Sequence, residues 1–199
     1  MKLCVYQGTF NPIHNAHLEV AEFVYENFDF DKIIFIPAFR PPHKHNYIFD
    51  GELAQHRFNM VNLALEPYPA FDVSDIEYRR NEPSYTYYTI LELYKMLEPT
   101  QKINFIIGTD AFRYIQSWHE ADKLKELVDF ILFVRDDRFV EEEFLNIKNN
   151  GFNYQLAKMP FHDISSSDIR EKVKRNAKIH KLVPAEVANY IREYELYRV

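Results

Sequence analysis

Two histidines spaced three residues apart, His14 and His17, stand at the beginning of a helical pattern near the N-terminus. The segment Tyr6-Gln-Gly-Thr-Phe-Asn-Pro joins them to a short apolar strand pattern at residues 3–6. A turn between a strand and a helix N-terminus directs free backbone N–H groups toward one point, which suits an anionic group. Because residues three apart lie about 60° apart around a helix, both imidazoles can face one ligand. The pattern predicts a phosphate site with two histidine donors.

The spacing His-x-x-His alone has two other interpretations, a structural histidine pair and a metal site. A metal site could also use His43 and His45 from a later loop. The context Gly8-Thr9-Phe10-x-Pro12 after a strand favours phosphate. Phosphoryl transfer needs directed donors, because charge spreads over the phosphoryl oxygens in the transition state.

Two other segments carry groups suited to an anion. Ser165-Ser166-Ser167 begins a helical pattern with Arg170 one turn later, and hydroxyls, N–H groups and a guanidinium together form a second anion site. The alternative is a serine-rich helix cap. Lys44 ends a proline-stiffened stretch and could reach a phosphate, although an isolated lysine is usually exposed to solvent.

Two segments could contact the rest of a nucleotide. In Gly108-Thr109-Asp110, the glycine permits close backbone approach and the carboxylate can accept from ribose hydroxyls. Trp118 is the only tryptophan and could stack on a ligand ring or fill the core. Ser84-Tyr85-Thr86 begins a helical pattern, with Thr86 or Ser84 predicted as its cap.

Apolar runs of strand length alternate with helical patterns along the chain, which predicts an α/β fold with a Rossmann-like, doubly wound parallel sheet. We expect helices on both faces and a C-terminal helical portion. The predicted strands are residues 3–6, 33–36, 71–76, 103–107 and 130–134, and residues 37–53 are predicted as a loop. Ligands of such sheets bind outside the carboxyl ends of the strands, which brings residues 8–17, 37–44, 108–110 and Arg135 to one edge.

The chain of 199 residues predicts a single domain over 1–199. Its net charge of −6 argues against a general nucleic-acid binder, although basic residues cluster at 40–45 and at Arg79-Arg80. The single cysteine, Cys4, excludes an internal disulfide. No signal peptide or membrane-spanning stretch is evident, so we expect a cytoplasmic protein without a membrane or nucleic-acid partner.

The segment QGTFNPIHNAHL resembles the GGTFDPxHxGH signature of the HxGH nucleotidyltransferases. PAFRPPHK, SYTYYT, GTDAF with Trp118, and ISSSDIR are similar to the PxxxPPHK, SYTxDT, GxDxFxxxxxW and ISSTxIR motifs of the bacterial nicotinate-nucleotide adenylyltransferases. The resemblance implies adenylyl transfer from ATP to nicotinate mononucleotide, giving deamido-NAD and pyrophosphate. It also implies Mg²⁺ held mostly by ATP, because no carboxylate cluster in the sequence clearly binds a metal.

The resemblance assigns roles residue by residue. His14, His17, Lys44 and Arg170 would be the catalytic groups that neutralise phosphates. Contacts with ATP are implied for Gly8, Thr9, Phe10, His14, His17, Gly108, Asp110, Arg135, Ser165, Ser166, Ser167 and Arg170. Contacts with the nicotinate nucleotide are implied for Lys44, Ser84, Tyr85, Thr86, Asp110 and Trp118.

The chain departs from the family pattern at six positions: Gln7, Asn11, Ala16, Glu82, Tyr88 and Ser167, the last of which keeps the hydroxyl of the threonine it replaces. Asn11 replaces an aspartate and keeps a side chain that can cap a helix, and Ala16 requires a helical backbone with negative φ. Other acceptors, nicotinamide mononucleotide or phosphopantetheine, stay open, as does a nucleotide-binding sensor without turnover. A homo-oligomer is also open.

Overall fold

Six parallel β-strands form one sheet in the computed structural model, which describes residues 1–42, 50–80, 82–134, 140–160 and 164–198. Their order across the sheet is β3-β2-β1-β4-β5-β6. The strands are β1 (Leu3–Gly8), β2 (Lys32–Pro37), β3 (Phe71–Val73), β4 (Ile103–Gly108), β5 (Val128–Val134) and β6 (Tyr154–Lys158). This order is that of a doubly wound Rossmann-like sheet and confirms the predicted fold class.

Helices cover both faces of the sheet. They are α1 (Asn15–Asn27), α2 (Gly51–Leu65), α3 (Thr86–Leu97), α4 (Thr109–Phe112), α5 (Ala121–Leu127), α6 (Leu145–Asn149), α7 (Ser166–Lys174) and α8 (Ala185–Glu193). Short 3₁₀ turns lie at Ile76–Arg79, Ile115–Ser117 and Glu141–Phe144. No helix in the described ranges is both long and apolar enough to span a bilayer.

Two hydrophobic cores lie on opposite faces because successive strand side chains point in opposite directions. Cys4 and Tyr6 of β1 pack on the face covered by α1, α2, α7 and α8, and burial there raises the pKa of the Cys4 thiol. Leu3 and Val5 pack on the face covered by α3 to α6. The C-terminal helices α7 and α8 therefore complete the same layer as α1 and α2.

The functional edge of the sheet is set where β1 lies between β2 and β4. The chain first winds outward through β2 and β3 and then returns to β4, so the connections on the two sides diverge and leave a crevice at the carboxyl ends of β1 and β4. Both strands end in glycine. A Cβ at Gly8 would lie 2.9 Å from Cζ of Phe10, and one at Gly108 would lie 3.0 Å from Cζ of Phe133. Any side chain here would have to displace an aromatic ring.

Some predicted boundaries were wrong. Strand β6 was missed, because this edge strand is short and polar at Gln155 and Lys158, and Ala157 is its one fully buried residue. The strand predicted over 71–76 ends at Val73, and Ile76 begins a 3₁₀ turn. The predicted loop over 37–53 ends earlier than expected, because α2 begins at Gly51.

The start of α2 is set by Asp50, whose Oδ1 accepts hydrogen bonds from the N–H groups of Glu52 and Leu53 at 2.9 and 3.0 Å. We expect Asp50→Ala to lower the free energy of unfolding by about 1 kcal/mol, because two N–H groups of the first turn lose their acceptor. Urea unfolding followed by circular dichroism measures this loss. Asp50→Ser keeps an acceptor and should recover most of it; equal losses in both variants would contradict a capping role.

Candidate active site

The turn that follows β1 is held from outside through its carbonyl oxygens. Thr9 O accepts from Arg57 Nη1 at 2.7 Å, Asn11 O from Arg170 Nη1 at 2.7 Å, and Pro12 O from Ser166 Oγ at 2.8 Å. Phe10, between them, has a φ of 46°, in the left-handed region that favours glycine. Backbone in such a conformation persists only when its surroundings fix it, and here three side chains from α2 and α7 do so.

The histidine pair lies at the start of α1 as predicted. His14 is the N-cap residue and is 2% exposed, whereas His17 is half-buried. Their rings stack with centroids 3.6 Å apart, and the His14 N–H donates to Nδ1 of His17 at 3.2 Å. Because Nδ1 of His17 accepts, the neutral ring carries its proton on Nε2 and is a donor there.

The same geometry bears on the metal interpretation. Nearly parallel rings, 24° apart, direct their nitrogen lone pairs along parallel planes, whereas two imidazoles on one ion converge on it. The described part of the chain holds no group of three or more His, Cys, Asp or Glu side chains placed for a metal. His43 and His45 lie outside the described residues. The stacked pair therefore favours the phosphate interpretation.

A cavity of about 370 Å³ opens at the carboxyl ends of β1 and β4. It lies at the switch point of the sheet, where a nucleotide is expected to bind. Ten of the predicted site residues line it: Gly8, Thr9, Phe10, His17, Ser84, Tyr85, Thr86, Gly108, Asp110 and Trp118. The structure thus brings together segments that are up to 110 residues apart in the sequence, although His14 lies beneath this wall rather than in it.

The serine-rich segment lies beside the turn rather than in the cavity wall. Ser165 caps α7, since its Oγ accepts from the Asp168 N–H at 3.1 Å. Arg170 also donates from Nη2 to Ser167 Oγ at 3.1 Å. Together with the bonds from Ser166 and Arg170, this places the positive N-terminal end of α7 against the turn after β1, which is the predicted phosphate site and is called the phosphate turn below.

The prediction that Ser84 or Thr86 caps α3 was wrong. Ser84 Oγ instead accepts from the Arg40 N–H at 2.9 Å, and the Ser84 N–H donates to Arg40 O at 2.9 Å. Thr86 Oγ1 donates to Oε1 of Gln7 at 2.6 Å, and the N-cap residue is Tyr85, which forms no side-chain cap. The first-turn N–H groups of α3, which have no acceptor within the helix, are therefore left at the cavity wall.

Sequence reasoning missed the buried carboxylate that supports this wall. Glu77 is 1% exposed, and its Oε1 accepts from Gln7 Nε2 and Thr89 Oγ1, both at 2.6 Å. Its Oε2 accepts from the Phe39 N–H at 3.2 Å. Gln7, one of the departures from the family motif, thus joins Glu77 to Thr86.

Three residues that the sequence analysis singled out have partners within the protein. Arg79 pairs with Asp75 at 2.6 Å, and Arg80 lies 3.6 Å from Glu92 and 3.9 Å from Glu77. Asn11 does not cap a helix. Its Oδ1 accepts from the hydroxyl of Tyr197 at 2.7 Å, a contact 186 residues apart that no local pattern signals.

Trp118 lies at the far side of the cavity, half-buried, with its edge against Phe105 at a centroid distance of 6.2 Å. Beside it, His119 stacks on Tyr85 at 4.3 Å, and its Nε2 lies 3.1 Å from the hydroxyl of Tyr88. Tyr88 stands where the family motif has aspartate, so an aromatic cluster replaces a carboxylate at this end. A flat ring entering the cavity meets aromatic surface here.

The carboxylate of Asp110 is exposed and lies 3.3 Å from Nη1 of Arg113. Arg113 is bonded more closely to Glu143, at 2.7 Å, and this hydrogen bond raises the pKa of the Arg113 guanidinium. Asp110 therefore stays accessible as an acceptor. Lys44 and Arg135, the two other predicted site residues, lie outside the described residues.

A buried arginine, Arg57, is the residue that sequence reasoning could have found. It falls on the apolar stripe of α2, in register with Ala54, Met60, Val61 and Ala64, all of them fully buried. A charged residue on such a stripe must find partners inside the protein.

Comparison with known proteins agrees with this geometry. Residues 5–172 match the model of the cytidylyltransferase-like family. The chain is 38% identical to the probable nicotinate-nucleotide adenylyltransferase of Carboxydothermus hydrogenoformans, covering 99% of this chain and 98% of the relative. It is also 38% identical to that of Staphylococcus epidermidis, covering 98% and 97%.

A solved structure, the Plasmodium falciparum nicotinic acid mononucleotide adenylyltransferase complexed with NaAD, superposes with a TM-score of 0.76. The two are 26% identical, and the match covers 98% of this chain and 97% of that one. The chain belongs to the cytidylyltransferase-like family and, within it, to the nicotinate-nucleotide adenylyltransferases.

Proposed function

We propose that this protein transfers the adenylyl group of ATP to nicotinate mononucleotide, forming deamido-NAD and pyrophosphate. The observation that carries the proposal is the cavity at the ends of β1 and β4, which joins the phosphate turn to the Ser84–Thr86 and Trp118 segments. The relatives named above carry the same activity in their names.

The ATP half of the site is the turn with the N-termini of α1 and α7. Backbone N–H groups, Nε2 of His17 and the positive ends of two helices there can hold phosphoryl oxygens. His14 acts behind His17, because its N–H fixes the His17 ring. Arg170, Ser165, Ser166 and Ser167 lie on the side where the β- and γ-phosphates would extend.

The nicotinate nucleotide occupies the other half. Its pyridine ring stacks on Trp118, and its carboxylate accepts from N–H groups at the start of α3, near Thr86. An amide in place of that carboxylate lacks the negative charge that a helix N-terminus stabilises. This difference supports nicotinate rather than nicotinamide mononucleotide as the acceptor.

In the reaction, an oxygen of the acceptor phosphate forms a bond to the α-phosphorus of ATP as the bond to the bridging oxygen breaks, and pyrophosphate leaves with that oxygen. The site supplies positioning and charge neutralisation and no covalent intermediate. His17, His14, Arg170 and Lys44 are the proposed groups. We propose that Mg²⁺ enters with the substrate, as Mg-ATP.

Two further statements are part of the proposal. The chain acts as one nucleotidyltransferase domain over 1–199, with both substrates bound at one sheet edge. Arg135 contacts ATP, because it follows β5 directly. A cytoplasmic location stays a prediction, and the oligomeric state stays open.

Pyrophosphate release, measured with ATP and each of three acceptors, tests the function. We expect nicotinate mononucleotide to exceed nicotinamide mononucleotide and phosphopantetheine at least about tenfold in kcat/KM, since the acceptor carboxylate adds charge-assisted hydrogen bonds. Preference for another acceptor would reassign the substrate. If ATP binds and no acceptor reacts, the protein is a sensor and the enzyme proposal fails.

Replacing His17 tests the transition-state donor. We expect His17→Ala to lower kcat by more than about 100-fold with the fold intact, because a positioned donor to the transferring group is lost. Steady-state kinetics and circular dichroism measure the two effects. His180→Ala removes an exposed histidine elsewhere and should leave kcat unchanged; a near-normal rate in His17→Ala would exclude His17 from the mechanism.

Replacing Trp118 tests ring stacking. We expect Trp118→Ala to raise the KM for nicotinate mononucleotide about tenfold and to leave the KM for ATP within about twofold, because stacking on an aromatic side chain contributes ~1–3 kcal/mol per base-like ring. Trp118→Phe keeps a flat ring and should restore most of the affinity. An acceptor KM that does not change in the alanine variant would rule out the stacking role.

A further inference from the structure

Arg57 is a fully buried cation that pairs with no acid in the ranges that the structure describes. Its side chain is 0% exposed, and its guanidinium donates to two backbone carbonyls, Thr9 O at 2.7 Å and Phe39 O at 3.2 Å. Its Nε has no partner, and it forms no ion pair with any carboxylate in the described part of the chain. A buried charge is unfavourable unless it is paired and hydrogen-bonded, and Arg57 has hydrogen bonds without a paired charge among the described residues.

Glu77, the one buried acid among the described residues, is already engaged. Glu77 accepts from Gln7 and Thr89 through Oε1 and from the Phe39 N–H through Oε2. Phe39 is therefore held from both ends of its backbone, by Glu77 at the N–H and by Arg57 at the carbonyl. Among the described residues, the guanidinium of Arg57 donates only to these carbonyl oxygens.

Those two carbonyls belong to the two halves of the site. Thr9 is in the phosphate turn and lines the cavity. The peptide that begins with the Phe39 carbonyl continues to the Arg40 N–H, which donates to Ser84 Oγ at 2.9 Å. One guanidinium therefore connects the ATP half, through Thr9, to the acceptor half, through Ser84.

We propose that Arg57 is a positioning residue that holds the two substrate subsites in register and whose charge is compensated by the bound polyphosphate. The carbonyl of Thr9 and the N–H of Phe10 form one peptide unit. A charged donor on the carbonyl polarises that unit and makes the N–H a stronger donor to an anion. Arg57 does not line the cavity, so it acts through the turn. The proposal rests on the function proposed above for the identity of the two substrates, whereas binding of a polyphosphate can be tested without it.

Two substitutions separate the effect of the Arg57 charge from that of the bridge, by which we mean the hydrogen bonds from one guanidinium to the carbonyls of both Thr9 and Phe39. Arg57→Met keeps an unbranched side chain and removes both, whereas Arg57→Lys keeps a point charge that cannot span two carbonyls. We expect Arg57→Met to weaken binding of inorganic tripolyphosphate about tenfold and to lower kcat. Arg57→Lys should bind tripolyphosphate within about threefold of the wild type and still lose at least about tenfold in kcat, because alignment of the two halves is lost.

Titration calorimetry with tripolyphosphate and steady-state kinetics measure the two effects, and circular dichroism checks the fold. Arg192→Met removes an exposed arginine from α8 and is the control for a lost charge. A purely structural role would lower stability in both Arg57 variants and leave tripolyphosphate affinity and kcat near those of the wild type. That result would overturn the proposal.

A failure of the Arg57 proposal can be distinguished from a failure of the proposed adenylyl transfer. If no acceptor is adenylylated, the tripolyphosphate titration still tests the charge, and equal affinities in wild type and Arg57→Met reject it. If Arg57→Met does not fold, Arg57→Lys decides the bridge: an unchanged kcat rejects it, and a lowered kcat with retained tripolyphosphate affinity supports it.

Discussion

The site depends on how the carbonyl oxygens of one turn are occupied. Gly8, Thr9, Asn11 and Pro12 each offer a carbonyl to a donor outside the turn: the Ala38 N–H and the side chains of Arg57, Arg170 and Ser166. A backbone whose carbonyls are bound on one side presents its N–H groups on the other. The parallel sheet provides the edge for this turn, and the helices provide the donors that hold it.

The same constraint explains why both halves of the site share supports. A continuous set of hydrogen bonds runs from Thr86 and Gln7 in the cavity wall to Glu77 behind it, and from there to the backbone of Phe39. None of these bonds needs a ligand to form. A substrate that enters the cavity therefore meets donors already in place, which lowers the entropic cost of ordering them at the moment of reaction.

Sequence patterns were sufficient for the sheet and for the segments that border the cavity, because apolar periodicity and the strand-turn-helix signature at Gly8-Thr9 are local. They were insufficient to predict the hydrogen bonds that hold the site in place. Thr86 has the composition of a helix cap, but its hydroxyl is taken by Gln7, a partner 79 residues away. Arg57 could have been noticed on its apolar stripe, yet only the folded chain shows that its partners are two carbonyls. Strand β6 escaped detection because its exposed edge is polar.

The contacts that hold the turn also have an order in time. The turn lies within the first 14 residues, whereas its partners Ser166, Arg170 and Tyr197 lie 154, 159 and 186 residues from the atoms they bind. During synthesis from the N-terminus, the inner strands can pair while the turn still lacks three of its anchors. A growing chain would thus form its sheet well before it could hold a nucleotide. The helical segments synthesised late would complete the turn that was synthesised first.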